Sequence, residues 1–205
     1  VFMFLAGTNF TLHYLFAGGR LLAHWRDPEF RAYTLTLLIS TGLIVLWVWL
    51  ATPASAPHHH LRDVTLTAVS IMTTTGYTTE NFNLWPQAAR LLMVLLMFIG
   101  GCGGSTGGGI KVIRFVVLFR HLFSQIELQH SPRTVRPLRL GGRIVSEPVK
   151  LAVLGYFFTV AMLGGVATLL ITILEPTLDL VSAFTAVTAT LNNIGPGLGV
   201  VGATQ

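Results

Sequence analysis

Charged residues are scarce in this 205-residue sequence, and their scarcity excludes an ordinary soluble domain. Only 10% of the residues are Asp, Glu, Lys or Arg, whereas 52% are hydrophobic and the mean hydropathy is +0.68. A soluble domain carries about 25% charged residues, and a surface with so few charges would expose apolar patches that soluble monomers rarely tolerate. The composition therefore predicts an integral membrane protein whose surface lies largely in lipid.

Cysteine is nearly absent as well. Cys102 is the single cysteine, so an internal disulfide and a multi-cysteine metal site are both excluded. The chain starts at Val1 inside an apolar stretch, without the basic region or cleavage site of a signal peptide. Its last residues follow a glycine-rich turn that awaits a further element, so we expect a fragment of a longer protein.

The apolar segments fall into two length classes. Residues 33–52 and 148–174 are long enough to cross a hydrocarbon core of about 30 Å. Residues 86–123 form a third apolar segment that a run of glycines interrupts. The segments 61–72 and 179–191 are too short to cross and predict re-entrant helices. We therefore expect an all-α membrane protein in which half-length helices alternate with spans.

An internal repeat supports this division. Residues Thr65–Ser70 match Ala183–Thr188 at a constant offset of 118 residues. Each segment follows a span and precedes a turn rich in threonine, asparagine or glycine. Since an internal repeat is weighed before other fold interpretations, we take the unit to be a span, a short helix, a glycine turn and a second span.

The distribution of basic residues predicts the orientation. Eight of the 13 Lys and Arg residues lie between Lys111 and Lys150, whereas the connections before the short helices carry few. Basic loops remain in the cytoplasm, so both short helices enter from the outer side. The same topology explains the isoelectric point of about 10 without nucleic-acid binding, which basic proteins otherwise suggest.

The turns after the short helices are the candidate functional elements. Irregular backbone at membrane depth is tolerated only where protein buries it or where it lines a watery cavity. The first turn, Thr73–Thr79, contains a Thr-x-Gly-Tyr sequence that resembles the filter of potassium channels, in which carbonyl oxygens replace the hydration shell of the ion. Neither this turn nor residues 192–199 contain a carboxylate, which favours a large monovalent cation over calcium or magnesium.

Three motifs, taken in order, resemble the Trk/Ktr/HKT superfamily of potassium transporters, in particular its bacterial TrkH-type membrane subunits. These motifs are Thr73-Thr74-Thr75-Gly76-Tyr77, the glycine-rich run from Gly100 to Lys111, and Asn192-Asn193-Ile194-Gly195-Pro196-Gly197-Leu198-Gly199. Ala6–Phe10 with His13 resembles the close of the family's second repeat. The resemblance covers essentially all 205 residues and implies a fragment of a four-repeat pore, built from units of span, pore helix, filter loop and span like those of potassium channels.

The resemblance also implies a division of the chain. Residues 1–32 would be the end of the second repeat with a cytoplasmic loop, 33–147 the third repeat, and 148–205 the first half of the fourth. Within the third repeat we expect a span at 33–52, a pore helix at 61–72, a filter at 73–79, a broken span at 86–123 and a cytoplasmic loop at 124–147. Within the fourth we expect a span at 148–174, a pore helix at 179–191 and a filter at 192–199.

Family knowledge assigns a filter strand to each repeat. The implied ion-binding residues are Thr73, Thr74, Thr75, Gly76, Tyr77, Asn193, Ile194, Gly195, Pro196 and Gly197, with potassium at the carbonyls of Thr74, Thr75, Gly76, Ile194 and Gly195. Gly76 would be the key glycine of repeat three. For repeat four, the alignment of the helices indicates Gly195, whereas the following Gly-Leu pair favours Gly197, and both alternatives stay open.

The family places a mobile intramembrane gate in the middle of the broken span. The residues that match it are Gly100, Gly101, Gly103, Gly104, Ser105, Thr106, Gly107, Gly108 and Gly109. At about 1 kcal/mol per glycine relative to alanine, these residues oppose a continuous helix. A phosphate-binding loop would require Gly-Lys-Ser/Thr after a strand, whereas Ile110 precedes Lys111 and Val112 follows it. An inert packing loop remains an alternative.

The resemblance further implies potassium uptake without a tightly bound cofactor, potassium itself being the transported substrate. It implies contact with membrane lipid, a homodimer, a cytosolic nucleotide-binding regulatory subunit of the TrkA type, and a multi-pass location in the bacterial inner membrane.

Two other functions compete with this interpretation. An ion-coupled secondary transporter, for example of sodium, also uses irregular backbone at the midplane but often carries an intramembrane carboxylate, and the predicted spans contain none. An enzyme would need a nucleophile–base pair or a metal constellation, and no histidine pairs with a buried acid at helical spacing. His58-His59-His60 suggests a metal site only weakly and is expected in a solvated outer loop.

Overall fold

The computed structural model describes residues 1–51, 57–130 and 138–202, and these residues are predominantly helical. The α-helices are α1 (Phe2–Ala6), α2 (Phe10–Ala17), α3 (Ala23–Arg26), α4 (Pro28–Ala51), α5 (Pro57–Met72), α6 (Gln87–Phe98), α7 (Val112–His130), α8 (Glu147–Leu174) and α9 (Leu180–Leu191). Short 3₁₀ turns occupy Phe82–Leu84 and Gly199–Val201. Strands β1 (Arg139–Leu140) and β2 (Arg143–Ile144) form an antiparallel hairpin, with Arg139 opposite Ile144.

Two of the described helices, α4 and α8, are long and apolar enough to cross a membrane. They contain 24 and 28 residues, which at about 1.5 Å per residue exceeds a hydrocarbon core of about 30 Å. Helix α4 begins at Pro28, five residues before the predicted start at residue 33. Two features favour this earlier start. Asp27 caps the helix by accepting the Phe30 N–H at 2.8 Å, and proline is favoured at the first helical position. Many large apolar side chains of α8 are exposed, as expected of a helix that faces lipid.

The glycine run separates α6 from α7, as expected for the broken span. Ile99 and Ile110, at the two ends of the run, form an isolated parallel bridge, and the Gly100 N–H donates to the Ile110 carbonyl at 2.9 Å. Helix α7 continues to His130, seven residues past the predicted end of the broken span at 123, and the hairpin lies within the predicted cytoplasmic loop. Part of that loop, residues 131–137, lies outside the described residues.

The two short helices pack on the spans. Helix α5 packs on α4 and α6, and α9 packs on α8 and α6. Helix α5 begins at Pro57, earlier than the predicted residue 61, so the backbone of His58-His59-His60 is helical rather than a loop. Three parts of the predictions lie outside what the structure describes. They are the side chains of these histidines, the end of the predicted first span at residue 52, and the last three residues of the predicted fourth repeat.

The main core lies where α4, α5, α6 and the glycine run meet. Its fully buried side chains include Tyr33, Ile44, Met72, Met93 and Cys102. The buried face of α5 leads directly into this cluster and Met72 is its last residue. The core therefore fixes the point at which the chain leaves α5 and enters the first candidate filter turn.

Candidate functional site

The turn after α5 leaves the helix through a fixed set of backbone hydrogen bonds. The N–H groups of Thr73, Thr74 and Thr75 donate to the carbonyls of Val69, Ile71 and Ser70 at 2.9, 3.0 and 2.8 Å. Thr74 adopts a left-handed conformation with φ of 56°, and Gly76 has φ of 83°. Beyond Thr75 the backbone is irregular, so its carbonyls are not used by the helix ladder.

The turn after α9 repeats this backbone pattern. The N–H groups of Asn192, Asn193 and Ile194 donate to the carbonyls of Thr188, Thr190 and Ala189 at 3.1, 3.1 and 2.8 Å. Asn193 is left-handed with φ of 56°, and Gly195 has φ of 111°. Each donor, each acceptor, the left-handed residue and the positive-φ glycine thus have a counterpart in the first turn.

The structural offset between the two turns is 119 residues, which corrects the sequence offset of 118. Thr74 corresponds to Asn193 and Gly76 to Gly195. Burial along the helices follows the same offset, because Val64 and Ala183 are both buried. The Thr-Ala-Val match in the sequence is one residue out of register, since similar small and β-branched residues suit neighbouring positions on either helix.

The two turns are in direct contact. A Cβ atom built on Gly76 would overlap the carbonyl oxygen of Ile194 and lie 3.5 Å from Pro196 Cδ. A Cβ on Gly195 would lie 4.0 Å from Gly76 Cα. Gly197 is placed differently, because its N–H donates to the Val201 carbonyl at 2.8 Å. In backbone geometry, the position equivalent to Gly76 is therefore Gly195 rather than Gly197.

The side chains of the turns divide between buried supports and exposed groups. Thr73 is buried, and its hydroxyl lies 2.8 Å from that of Thr75. Asn192 is also buried, and its side-chain N–H donates to the Thr188 carbonyl at 2.9 Å. In contrast, the side chain of Tyr77 is 71% exposed, so the first turn is not packed against a neighbouring helix at this residue.

The glycine run between α6 and α7 lies against the bases of both turns. The Gly108 N–H donates to Thr74 Oγ1 at 2.6 Å. A Cβ on Gly107 would lie 3.1 Å from the Thr73 carbonyl oxygen, and a Cβ on Gly108 would lie 2.7 Å from the Asn192 carbonyl oxygen. Side chains at these positions would separate the run from the turns, which gives a packing reason for the glycines.

The opposite side of the run is bonded to the segment between α1 and α2. The Cys102 N–H donates to the Gly7 carbonyl at 2.8 Å, and the Thr106 N–H donates to the Ala6 carbonyl at 3.2 Å. The Phe10 N–H donates back to the Gly104 carbonyl at 3.2 Å. This is the Ala6–Phe10 segment identified in the sequence, and the structure brings it to the candidate gate.

Polar side chains hold the same N-terminal segment in place. Thr8 is fully buried, and its hydroxyl lies 2.7 Å from His13 Nε2. The His13 and His24 rings lie 5.3 Å apart, and burial together with the His13 charge lowers the pKa of His24. Among the described residues, no group of three or more His, Cys, Asp or Glu side chains could hold a metal ion.

Two residues near the turns were not identified from the sequence. The Glu29 carboxylate is buried, and its Oε1 accepts the N–H groups of Gly103 at 2.6 Å and Ile113 at 3.0 Å. Asn83 connects the outer loops, because its Oδ1 accepts the Gly199 N–H at 2.9 Å. Glu29 lies in the first turn of a helix, where acidic residues are common. The sequence around it is therefore that of an ordinary helix start, and only its contact with Gly103 distinguishes Glu29 from other acidic residues at such positions.

The outer ends of the two units also differ in their acidic residues. Asp179 caps α9 by accepting the Ser182 N–H at 3.3 Å and the Ser182 hydroxyl, and the hydroxyl bond is the main cause that lowers the pKa of Asp179. A pore helix at 61–72, as predicted, would have Asp63 near its start, whereas Asp63 lies well inside α5 and its Oδ1 accepts the Thr79 hydroxyl at 2.9 Å. Both carboxylates therefore support the outer ends of the pore-helix units in different ways.

The structure thus contains two short helices that lie among helices of membrane length. Each short helix ends in an irregular backbone turn, and the two turns face each other. This arrangement defines a helical membrane protein of the pore-loop class. A family model described as "TrkH: Cation transport protein" matches residues 1–205, and the chain therefore belongs to that family. The division into irregular turns, short helices and spans is the architecture that the sequence predicted.

Individual relatives agree with this assignment. The chain is 38% identical over 202 residues to the Trk system potassium uptake protein TrkH of Escherichia coli strain K12, covering 98% of this chain and 41% of that protein. It is 31% identical over 202 residues to the Trk system potassium uptake protein TrkG of the same organism, covering 97% and 40%. The crystal structure of the potassium transporter TrkH from Vibrio parahaemolyticus matches with a TM-score of 0.90 at 37% identity, covering 98% of this chain and 43% of that one. The chain thus spans about two fifths of the length of these relatives.

Proposed function

We propose that this chain forms part of a potassium uptake pathway, in which carbonyl oxygens of the two turns take the place of water around the ion. The observation that carries the proposal is the contact between two turns of matching backbone geometry, with Gly76 against the Ile194 carbonyl. Uncharged carbonyl oxygens are the ligands that potassium filters use. The relatives named as potassium uptake proteins support the same ion.

Within this proposal, potassium binds the carbonyls of Thr74, Thr75, Gly76, Ile194 and Gly195. Thr73, Tyr77, Asn193, Pro196 and Gly197 complete the two filter segments, at 73–79 and 192–199. The ranges 33–147 and 148–205 are the third repeat and the first half of the fourth, preceded by the end of the second repeat in 1–32. The supporting observation is the 119-residue correspondence of hydrogen bonds and φ angles between the two turns.

The glycine run is the proposed gate. It lies at the bases of both turns, where Gly108 bonds to Thr74 and approaches Asn192. Because glycine-rich backbone has many accessible conformations, this segment can leave the ion pathway without moving α6 or α7 as a whole. In the arrangement described, the run occupies the space directly beside the turns, which corresponds to a closed gate.

The proposal places the complete protein in the bacterial inner membrane as a multi-pass transporter rather than an enzyme. We propose a homodimer with a cytosolic nucleotide-binding regulatory subunit of the TrkA type, membrane lipid around α8, no nucleic-acid partner and no tightly bound cofactor. The support is the assignment to the TrkH family and the exposed apolar surface of α8.

A buried carboxylate favours one second candidate, an ion-coupled transporter of a cation such as sodium. Glu29 lies at the beginning of α4, whereas the sequence placed no carboxylate in a span. However, one of its oxygens already accepts two backbone N–H groups, which leaves a structural role as the better explanation. Uptake that depends on a sodium or proton gradient, measured in proteoliposomes, would favour the coupled transporter instead.

The test of the main proposal is the substitution Gly76→Ser in the complete protein, with growth of a potassium-uptake-deficient bacterium on low potassium as the readout. The side chain would overlap the Ile194 carbonyl, so we expect loss of growth at low potassium with normal amounts of protein in the membrane. Gly42→Ala is the matched control, because a Cβ on this α4 glycine meets no atom of the described chain within 4 Å. Normal growth of the Gly76→Ser strain would refute the filter assignment.

A further inference from the structure

A buried acid at the start of α4 has no part in the carbonyl chemistry proposed above. Glu29 is 7% exposed, and carboxylates are rarely so buried unless they are paired. Its Oε1 accepts the Gly103 N–H at 2.6 Å and the Ile113 N–H at 3.0 Å. The carboxylate is thus satisfied by backbone donors of the gate region.

These two donors belong to different parts of the gate region. Gly103 lies inside the glycine run, whereas Ile113 is the second residue of α7, where a helix has unpaired N–H groups and favours negative charge. Hydrogen bonds to an ionised acceptor are stronger than neutral ones. One oxygen of Glu29 therefore joins the glycine run to a fixed helix end.

The other side of the same run touches the filter. The Gly108 N–H donates to Thr74 Oγ1 at 2.6 Å. Between the two contacts, Lys111 Nζ donates to the Gly107 carbonyl and lies 3.4 Å from Ser105 Oγ. The run is therefore held at one end by Glu29 and at the other by Thr74, with an internal brace from Lys111.

We propose that Glu29 is a positioning residue that latches the glycine run beneath the filter. When the Gly103 N–H leaves the carboxylate, the Ile113 bond keeps Glu29 on α7, and the run loses one of the restraints that hold it against the turns, while its backbone bonds to the Ala6–Phe10 segment remain. The latch rests on the proposed function of the run as a gate. Its structural part, the restraint of the run by Glu29, is measurable without any ion flux.

The first experiment measures the mobility of the run through Cys102, which is buried and follows Gly101 directly within the run. In the complete protein, with any other cysteine replaced by serine, the rate of labelling by a small maleimide reports exposure of this thiol. We expect Glu29→Gln to raise the labelling rate roughly five- to thirtyfold, because a neutral amide replaces a charge-assisted acceptor of two hydrogen bonds.

The second experiment records single channels of the purified complete protein in planar bilayers with potassium chloride. We expect Glu29→Gln to raise the open probability by a similar factor while the unit conductance and the potassium-to-sodium permeability ratio stay unchanged. A purely structural role of Glu29 would lower the amount of folded protein and leave the open probability of each surviving channel unaltered.

Asp27→Asn is the matched control. Asp27 lies two residues away, caps α4 through the Phe30 N–H, and is replaced by an equally good capping residue. This variant removes the same charge from the same region without touching the run, so its labelling rate and open probability should equal those of the wild type. Glu29→Asp keeps the charge with a shorter reach and should give intermediate values.

Unchanged labelling of Cys102 and unchanged open probability in Glu29→Gln would overturn the latch. If Glu29→Gln does not accumulate in the membrane, Glu29→Asp decides, and wild-type values in that variant would overturn the latch equally. If Glu29→Gln is labelled faster than the wild type but the wild-type protein conducts no potassium, the result would support the restraint by Glu29 and refute the proposed function. The two proposals are therefore separable.

Discussion

The two candidate filter turns have the same backbone and different supports. Each contains a left-handed residue with φ of 56°, which is Thr74 in the first turn and Asn193 in the second. Asparagine adopts this conformation readily, whereas a β-branched residue is strained there by about 1–3 kcal/mol. The strained Thr74 is also the residue whose hydroxyl accepts the Gly108 N–H of the glycine run. The first turn is therefore bonded to the glycine run at its most strained residue.

The second turn is instead held by its own short helix. The Leu198 N–H donates to Thr185 Oγ1 at 2.9 Å, and the Val200 N–H donates to Ser182 Oγ at 3.1 Å. Both hydroxyls belong to α9. In the first unit, the corresponding bond to the short helix runs from the Thr79 hydroxyl to Asp63 Oδ1 at 2.9 Å. Under the proposed function, the second turn would be the fixed one of the two, and the first turn would respond to movement of the glycine run.

The largest expected difference between the two turns concerns their glycines. A methyl group on Gly76 would overlap the Ile194 carbonyl, whereas one on Gly195 would be strained by its φ of 111° but would meet only Gly76 Cα at 4.0 Å. We expect Gly76→Ala to reduce the initial rate of potassium uptake per transporter by about thirtyfold or more, and Gly195→Ala by about five- to tenfold, from the usual cost of such strain. Equal losses in the two variants would contradict the asymmetry.

A smaller effect should separate the supports of the two turns. Thr74→Val removes the hydroxyl that accepts the Gly108 N–H but keeps the side-chain shape, and Thr185→Val removes the hydroxyl that holds Leu198. One neutral hydrogen bond is worth about 0.5–1.5 kcal/mol. We expect Thr74→Val to raise the open probability about two- to tenfold with unchanged selectivity.

Thr185→Val should leave the open probability unchanged and increase sodium permeability instead. The reason is that this substitution weakens the support of the second turn and does not change the contact between the first turn and the glycine run. Single-channel recordings under mixed sodium and potassium gradients measure both quantities for the two variants. A shift of open probability in Thr185→Val alone would reverse the comparison.

The smallest expected effect concerns the acidic residue that caps α9. Because the Ser182 hydroxyl lowers the pKa of Asp179 below its ordinary value of 3.8, ionised Asp179 stabilises the fold above that value and loses this contribution as the pH falls through the lowered pKa. We expect Asp179→Ala to lower the melting temperature in detergent at pH 7 and to make progressively less difference as the pH falls through the lowered pKa of Asp179.

Asp179→Asn should keep the cap throughout this pH range, since asparagine is an equally good capping residue. Asp63→Ala is the comparison in the first unit, because Asp63 holds Thr79 rather than a helix end. A difference between Asp179→Ala and the wild type that does not shrink as the pH is lowered from 7 into the acid range would contradict the role of the ionised carboxylate.

The architecture could be predicted from the sequence because it follows from length, charge and glycine content. Runs of apolar residues longer or shorter than a bilayer separate spans from half-length helices, and the glycine run cannot sustain a helix. The TrkH family match confirms the family that the three motifs of the sequence resemble. Helix starts were less accurate. The first pore helix was predicted to begin at residue 61, whereas α5 begins at Pro57, because proline is well tolerated in the first turn of a helix.

The register and the latch could not be predicted in the same way. The Thr-Ala-Val similarity points to an offset of 118, and only the hydrogen bonds at the helix ends show that Thr74 corresponds to Asn193. Glu29 and Gly103 are far apart in sequence, and no local pattern distinguishes a carboxylate that begins a helix from one that also binds a distant loop. Both facts depend on tertiary packing rather than on local propensity.

The close approach of Gly76 to the Ile194 carbonyl has a consequence for how substitutions combine. The main chain of each turn forms part of the boundary of the other, so a side chain at residue 76 would also displace the carbonyl oxygen of residue 194. Double variants across this contact should therefore deviate from the sum of the single variants. A deep mutational scan of either turn alone would therefore report which substitutions the two turns tolerate together. We expect the backbone shape of the turns to be constrained and the supporting side chains to vary.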